Sequence, residues 1–385
     1  MKHPTRSVLL PLVILLLLFS TSVWSGGGGE AAAEAKVIEI GYTAPFTGAA
    51  AEFGTNGWRG VQIALEEINA EGIKVNGETY NIKIVRYDSR CEPTEAVANV
   101  RKMILEDEVH AILGDHCSSC CMAIGPLCDE HQVPAITIEC AAHGVTSPGH
   151  EYYYRMRPDM VLMAPSVAPR IVDAVNPKTQ AFLAINDDYG RSFADSFEEA
   201  MNEHGVKTLT KIFFERGSTD YMPYLSKLRG VDPDIIFYVG VTPEGATILK
   251  QAREIGMIPE VKFIGAEEMG EYELLNLAGE DVVEDTYAIS LWATVPEAFA
   301  KKVQEKFDAP MHYAIIFAYD AMYVLREAIL AAQSIDPVEI KKALDTIEYD
   351  GIEGHIKFED FADYKNQGRY QPFFAKWKDG EKIPQ

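Results

Sequence analysis

All six cysteines of the chain, Cys91, Cys117, Cys120, Cys121, Cys128 and Cys140, fall in its first half, with His116 and His131 among them. Thiolates and imidazoles grouped in this way could ligate a metal, and thiols could pair as disulfides. The run Cys117-x-x-Cys120-Cys121 matches no standard zinc spacing, and adjacent Cys120 and Cys121 cannot readily serve one ion together. Disulfides are therefore expected, with no metal or other cofactor. Ser118 and Cys140 could act as nucleophiles, yet the sequence places no base beside either. No G-x-G-x-x-G or P-loop follows a strand pattern, and neither G-x-S-x-G nor H-E-x-x-H occurs. Catalysis is not indicated. A different chemistry is open to Glu267, which closes the apolar stretch Phe263-Ile264-Gly265-Ala266-Glu267. A carboxylate at the carboxyl end of a parallel strand stands where α/β sheets gather small ligands.

Two runs of alternating strand and helix patterns would position these residues. The first covers roughly Val37 to Ile138 and the second roughly Ala181 to Gly265. In the first, Val37 to Tyr42 reads as a strand, and Gly54 to Ala70 carries helical spacing at Val61, Ala64, Leu65 and Ile68. Pro93 suits the first turn of the next helix. In the second, Ala181 to Ile185 reads as a strand, and Asp187-Asp188-Tyr189-Gly190 leads into a helix. Thr242 followed by Pro243 marks another helix start. Beyond Asp285 come a strand, helices over Pro296 to Phe307 and Tyr313 to Ala332, and closing strands near Ile356 and Gln371. The fold expected is α/β: two doubly wound, mostly parallel-sheet lobes, with chain crossings that favour a hinge.

The amino terminus has Lys2 and Arg6, an apolar run from Val8 to Phe19, and small residues up to Ser25. That is the pattern of a cleaved secretory signal, and the run is shorter than the ~20 residues a spanning helix needs. Residues 1–25 are read as the signal and 26–35 as a flexible leader, which implies a periplasmic protein. No cysteine precedes Cys91 to accept a lipid. Removing the signal takes Lys2 and Arg6 away with no acid, moving the formal charge from -23 to -25. Such acidity argues against nucleic acid and anionic membrane surfaces as partners. Two similar lobes outside the cytoplasm suggest a cleft that closes on a small solute.

Several stretches now combine. They are Ile40-Gly41-Tyr42-Thr43-Ala44-Pro45-Phe46-Thr47-Gly48, Gly60 to Asn69, Tyr87-Asp88-Ser89-Arg90-Cys91-Glu92-Pro93 and Leu113-Gly114-Asp115-His116-Cys117-Ser118-Ser119. Asp187-Asp188-Tyr189-Gly190 and Phe263 to Glu267 complete the set. Together they resemble the leucine/isoleucine/valine-binding family of type I periplasmic solute receptors, over nearly all of residues 36–385. The resemblance implies two lobes joined by a three-strand hinge, a small amino-acid-like ligand, and delivery by a monomer to an ABC permease. Residues 36–156 with 289–350 would form lobe 1, and 157–288 with 351–385 lobe 2. It also implies a Cys91–Cys117 disulfide, a ligand carboxylate on Ser118, and an α-ammonium on Glu267. Tyr189 and Phe53 match aromatic positions lining the cleft; the other readings are interlobe packing for Tyr189 and a staple onto the next helix for Phe53.

Two departures bear on the ligand. Relatives carry Ala-Ala-Thr where this chain has Glu139-Cys140-Ala141, so a hydroxyl for the ammonium is missing. A tyrosine that frames the ligand in relatives is replaced by Val241. The Ala141 amide can still serve a carboxylate. Glu139 turns either to solvent or inward, and inward it favours a more cationic ligand. A ligand-sensing receptor of the same fold, for an amide, polyamine or small aromatic acid, is the competing reading.

Overall fold

A computed structural model describes residues 36–292, 295–361, 364–368 and 371–385. The expected signal and leader, residues 1–35, lie outside the described residues. The chain opens with Lys36–Ala44 (β1), Ala51–Glu71 (α1), Ile73–Val75 (β2), Glu78–Asp88 (β3) and Pro93–Leu105 (α2). Ala111–Gly114 (β4), Ser118–His131 (α3), Ala135–Thr137 (β5) and Tyr153–Arg155 (β6) follow. The middle of the chain runs through Met160–Val175 (α4), Thr179–Ile185 (β7), Asp188–Glu203 (α5), Lys207–Phe214 (β8) and Met222–Val231 (α6). It continues with Ile235–Val239 (β9), Thr242–Glu254 (α7), Lys262–Gly265 (β10), Glu273–Ala278 (α8), Glu280–Val283 (α9) and Tyr287–Ser290 (β11). Last come Glu297–Phe307 (α10), Tyr313–Ala332 (α11), Pro337–Leu344 (α12), Glu348–Asp350 (β12) and His355–Phe361 (β13). Tyr364–Gly368 (β14), Phe373–Lys378 (β15) and Glu381–Pro384 (β16) end the fold.

Two sheets result, in the orders β12-β13-β14-β6-β5-β4-β1-β3-β2 and β16-β15-β11-β10-β9-β7-β8. The strands from β3 to β14 in the first and from β8 to β11 in the second pair in parallel. The reversal of strand order falls at β3-β1-β4 in one sheet and at β8-β7-β9 in the other. Crevices open at such reversals, beyond the carboxyl ends of the strands. Both sheets are two-faced, so their inner strands are apolar throughout: Ile235–Val239 is wholly buried, as are Ile38, Ile40, Tyr42 and Ala44 of β1.

Among the described residues the chain crosses between the sheets three times: after β6, after β11, and between β14 and β15. Strands β13 and β14, residues 355–368, enter the first sheet, whereas residues 351–385 were expected in lobe 2. Conversely β11 pairs with β10 in the second sheet, although residues from 289 onward were expected in lobe 1. A short strand's own pattern does not say which sheet edge is open to it. Helix α11 packs on α1 and α12 and is buried on most sides. Gly60 allows the α1–α11 approach, because a Cβ there would overlap the Ile315 carbonyl.

Candidate functional site

The two crevices face each other, and the residues that follow their strands line a cavity of about 40 Å³. His116, Cys117 and Ser118 follow β4, and Glu139 follows β5. Asp187 and Tyr189 come from the β7–α5 turn, Gly240 follows β9, and Phe53 and Tyr313 come from α1 and α11. Arg157, on the first crossing, forms part of the wall. A water needs roughly 10–15 Å³ of such space, so the cavity holds only a few. An amino-acid-sized ligand therefore requires the lobes to part.

Of the residues expected at the site, Phe53, Ser118, Glu139 and Tyr189 line the cavity. Ala141 lies behind Ser118, whose Oγ accepts the N–H groups of Ala141 and Ala142 at 3.3 and 3.2 Å. With its lone pairs so used, the Ser118 hydroxyl proton is left to donate. Val241 is buried next to Gly240; its amide and carbonyl bond the Tyr238 hydroxyl at 2.9 and 2.7 Å. Glu139 turns inward, its side chain 3% exposed and its Oε1 3.3 Å from His116 Nδ1. The two atoms face each other as a carboxylate–imidazole pair without the alignment of a hydrogen bond, and neither hydrogen-bonds to another of the described residues. Burial raises the Glu139 pKa, with His116 pulling it back. His116 Nε2 lies 2.8 Å from the Tyr42 hydroxyl, and Gly57 leaves room for both rings.

Glu267 is already occupied. Its Oε1 is paired with the Arg157 guanidinium and its Oε2 accepts the Tyr189 hydroxyl; Arg157 and Glu267 are buried and Tyr189 is half-buried. Burial opposes the Arg157 charge, but Glu267 and Tyr189 outweigh it and hold the guanidinium pKa above its usual value. Burial, and then the Glu267 charge, push the Glu268 pKa well above the usual carboxylate range, and its Oε1 accepts the Gly240 N–H at 3.2 Å. Giving Glu267 to a ligand ammonium would strand Arg157, at a cost of ~3–5 kcal/mol for a buried pair. A hydrogen bond to a charged group returns only about 1.5–3 kcal/mol.

Sequence reasoning missed Arg157 at the site, and with it His116, Asp187, Arg216 and Tyr313. The signal for Arg157 is Tyr153-Tyr154-Arg155-Met156-Arg157, an alternation that puts two arginines on one side of an apolar strand leading into a crossing. Arg155 is structural: it donates to the Ala142 carbonyl at 2.8 Å, to Gln367 at 2.9 Å and to Asp159 at 2.8 Å. It thereby fixes the loop that carries Glu139 to Ala142. Two disulfides hold the same loops, Cys91–Cys117 and Cys121–Cys140, with Cα atoms 5.5 and 6.6 Å apart. Cys120 and Cys128 are free and buried, and among the described residues no His/Cys/Asp/Glu cluster is arranged to hold a metal.

Two mostly parallel-sheet lobes, crossed three times by the described chain and facing each other across a cavity lined by aromatic and charged side chains, define a bilobal solute receptor. The chain belongs to the periplasmic binding protein family, whose profile matches residues 37–382. It is 28% identical over 341 residues to a leucine-, isoleucine-, valine-, threonine- and alanine-binding protein of Pseudomonas aeruginosa, covering 86% of this chain and 88% of that one. It is 27% identical over 344 residues to the Leu/Ile/Val-binding protein of Escherichia coli, covering 86% and 89%. The crystal structure of the leucine binding protein LivK from Thermotoga maritima is similar at a TM-score of 0.80 and 25% identity, over 90% of this chain and 97% of that one. Among the described residues, no helix is long and apolar enough to cross a membrane.

Proposed function

We propose that this receptor closes in the periplasm on a small, amine-bearing, amino-acid-like solute and delivers it, as a monomer, to an ABC permease. One observation carries the reading: Ser118 and Glu139 of one lobe meet Tyr189 of the other in a single buried cavity. An anion can accept a hydrogen bond from the Ser118 hydroxyl, and a cation can bind the buried Glu139 carboxylate beside His116. Contacts drawn from both lobes favour the closed state, because the ligand gains them only there. The relatives that bind leucine, isoleucine and valine support an amino acid. The inward Glu139 shifts the preference of this chain toward a more polar ligand than theirs.

A thermal-shift screen over amino acids, amides, polyamines and small aromatic acids tests it. A ligand at 100 times its Kd raises stability by about 2.7 kcal/mol, a readily measured shift. Response to aromatic acids or amides alone would replace the amino-acid reading with one of those solutes.

A further inference from the structure

We infer that Arg157, with the Ser118 hydroxyl, receives the anionic end of the ligand, that Glu139 beside His116 receives its amine, and that Glu267 positions Arg157. The inference rests on the amino-acid reading above and assigns its two charged ends.

The argument is one of satisfied and unsatisfied groups. Glu267 has both oxygens engaged by the chain itself, one by Arg157 and one by Tyr189. Glu139 is less engaged: a buried carboxylate lining the cavity, whose Oε1 faces the His116 imidazole and makes no hydrogen bond among the described residues. Buried polar atoms are rarely left so unless a water or ligand completes them. His116 Nδ1, 3.3 Å from that oxygen and likewise without a hydrogen bond among the described residues, borders the same spot. An ammonium there would donate to the carboxylate and lie against the imidazole. Arg157 has capacity to spare. Its two terminal nitrogens reach Glu267, the Met163 sulfur and the Glu139 carbonyl, and its Nε has no partner. A guanidinium offers five N–H donors in a fixed fork, suited to a carboxylate. Since Ser118 and Arg157 line one cavity with Glu139, a compact zwitterion reaches both receivers.

Calorimetric titration with each common L-amino acid at millimolar concentration comes first. For the best binder, the analogues lacking its amine or its carboxylate are then titrated into the parent, Glu139→Gln, Glu267→Gln and Arg157→Met/Glu267→Gln. The double variant spares Glu267 an unpaired buried charge, and melting curves establish that each variant is folded. Glu139→Gln should weaken the zwitterion roughly tenfold or more, the scale of one charge-assisted contact. The same variant should leave the amine-lacking acid at least as tight as in the parent. Glu267→Gln alone should lose less than Glu139→Gln, because Gln still bonds Arg157. The double variant should lose the amine-lacking acid while keeping the carboxylate-lacking amine. Greater loss in Glu267→Gln than in Glu139→Gln overturns this assignment and leaves the amino-acid reading intact. A parent that binds no amino acid overturns both.

Discussion

Glu52, in the first turn of α1, accepts the backbone N–H of Thr242 at 2.9 Å, so a carboxyl of the first lobe meets the amino end of α7 in the second. Burial raises the Glu52 pKa to about 8, outweighing the Thr242 bond that pulls it down; Glu271 and Glu139 push the same way as burial. The closed arrangement thus holds Glu52 largely as the neutral acid at pH 7.

The pH dependence follows from that shift. The folded pKa of about 8 exceeds the ordinary 4.5, so the folded state binds more protons between those values. The stability Glu52 contributes is fully present below about pH 4.5 and is lost as pH rises through 8. Melting temperatures of the parent relative to Glu52→Gln should therefore fall steadily from about pH 5 to about pH 8. Parallel curves for the two proteins would show that Glu52 ionises freely in the folded state.

Cys121–Cys140 closes a span of 19 residues and anchors the chain between Glu139 and Ala141. In the chain-entropy model a loop of that length is worth ~3 kcal/mol. The pair of changes Cys121→Ala and Cys140→Ala should lower the unfolding free energy in urea by about that amount and loosen ligand binding as well. Non-reducing peptide maps of the parent should contain both disulfide-linked pairs. Cys120 and Cys128 should resist alkylation until the protein unfolds, because burial raises both thiol pKa values and hides them. Rapid labelling of either thiol in the native protein would contradict the pairing.

At Gly60 the constraint is steric. A methyl group at this position has the Ile315 backbone carbonyl in its way, and backbone yields less readily than a side chain. Gly60→Ala should push α1 and α11 apart and cost about 1–3 kcal/mol, as overpacked cores do. Urea unfolding measures it. A stabilised variant, the usual outcome of Gly to Ala in a helix, would mean that the helices have slack.

The sequence by itself determined what is local and periodic. Continuous apolar runs marked β1, β7 and α11, a period-3.6 pattern marked α1, and Asp187 and Thr242 marked helix starts, because side-chain burial and end effects are short-range. Ser118, Glu139 and Tyr189 were reached through the resemblance to the solute-receptor family, whose matching motifs stand just past recognisable strands. Only the tertiary structure decided which edge of which sheet β13 and β14 would join, since an edge accepts any strand of suitable register. Only it decided that Glu267 meets Arg157 across 110 positions of sequence, which turns the expected ammonium acceptor into half of an internal pair. It also turned Glu139 inward, a choice its flanking residues leave open, because Arg155 and the Cys121–Cys140 bond bend the loop from outside it. Charges find their partners through the packed fold, and no pattern along the chain encodes a distance through space.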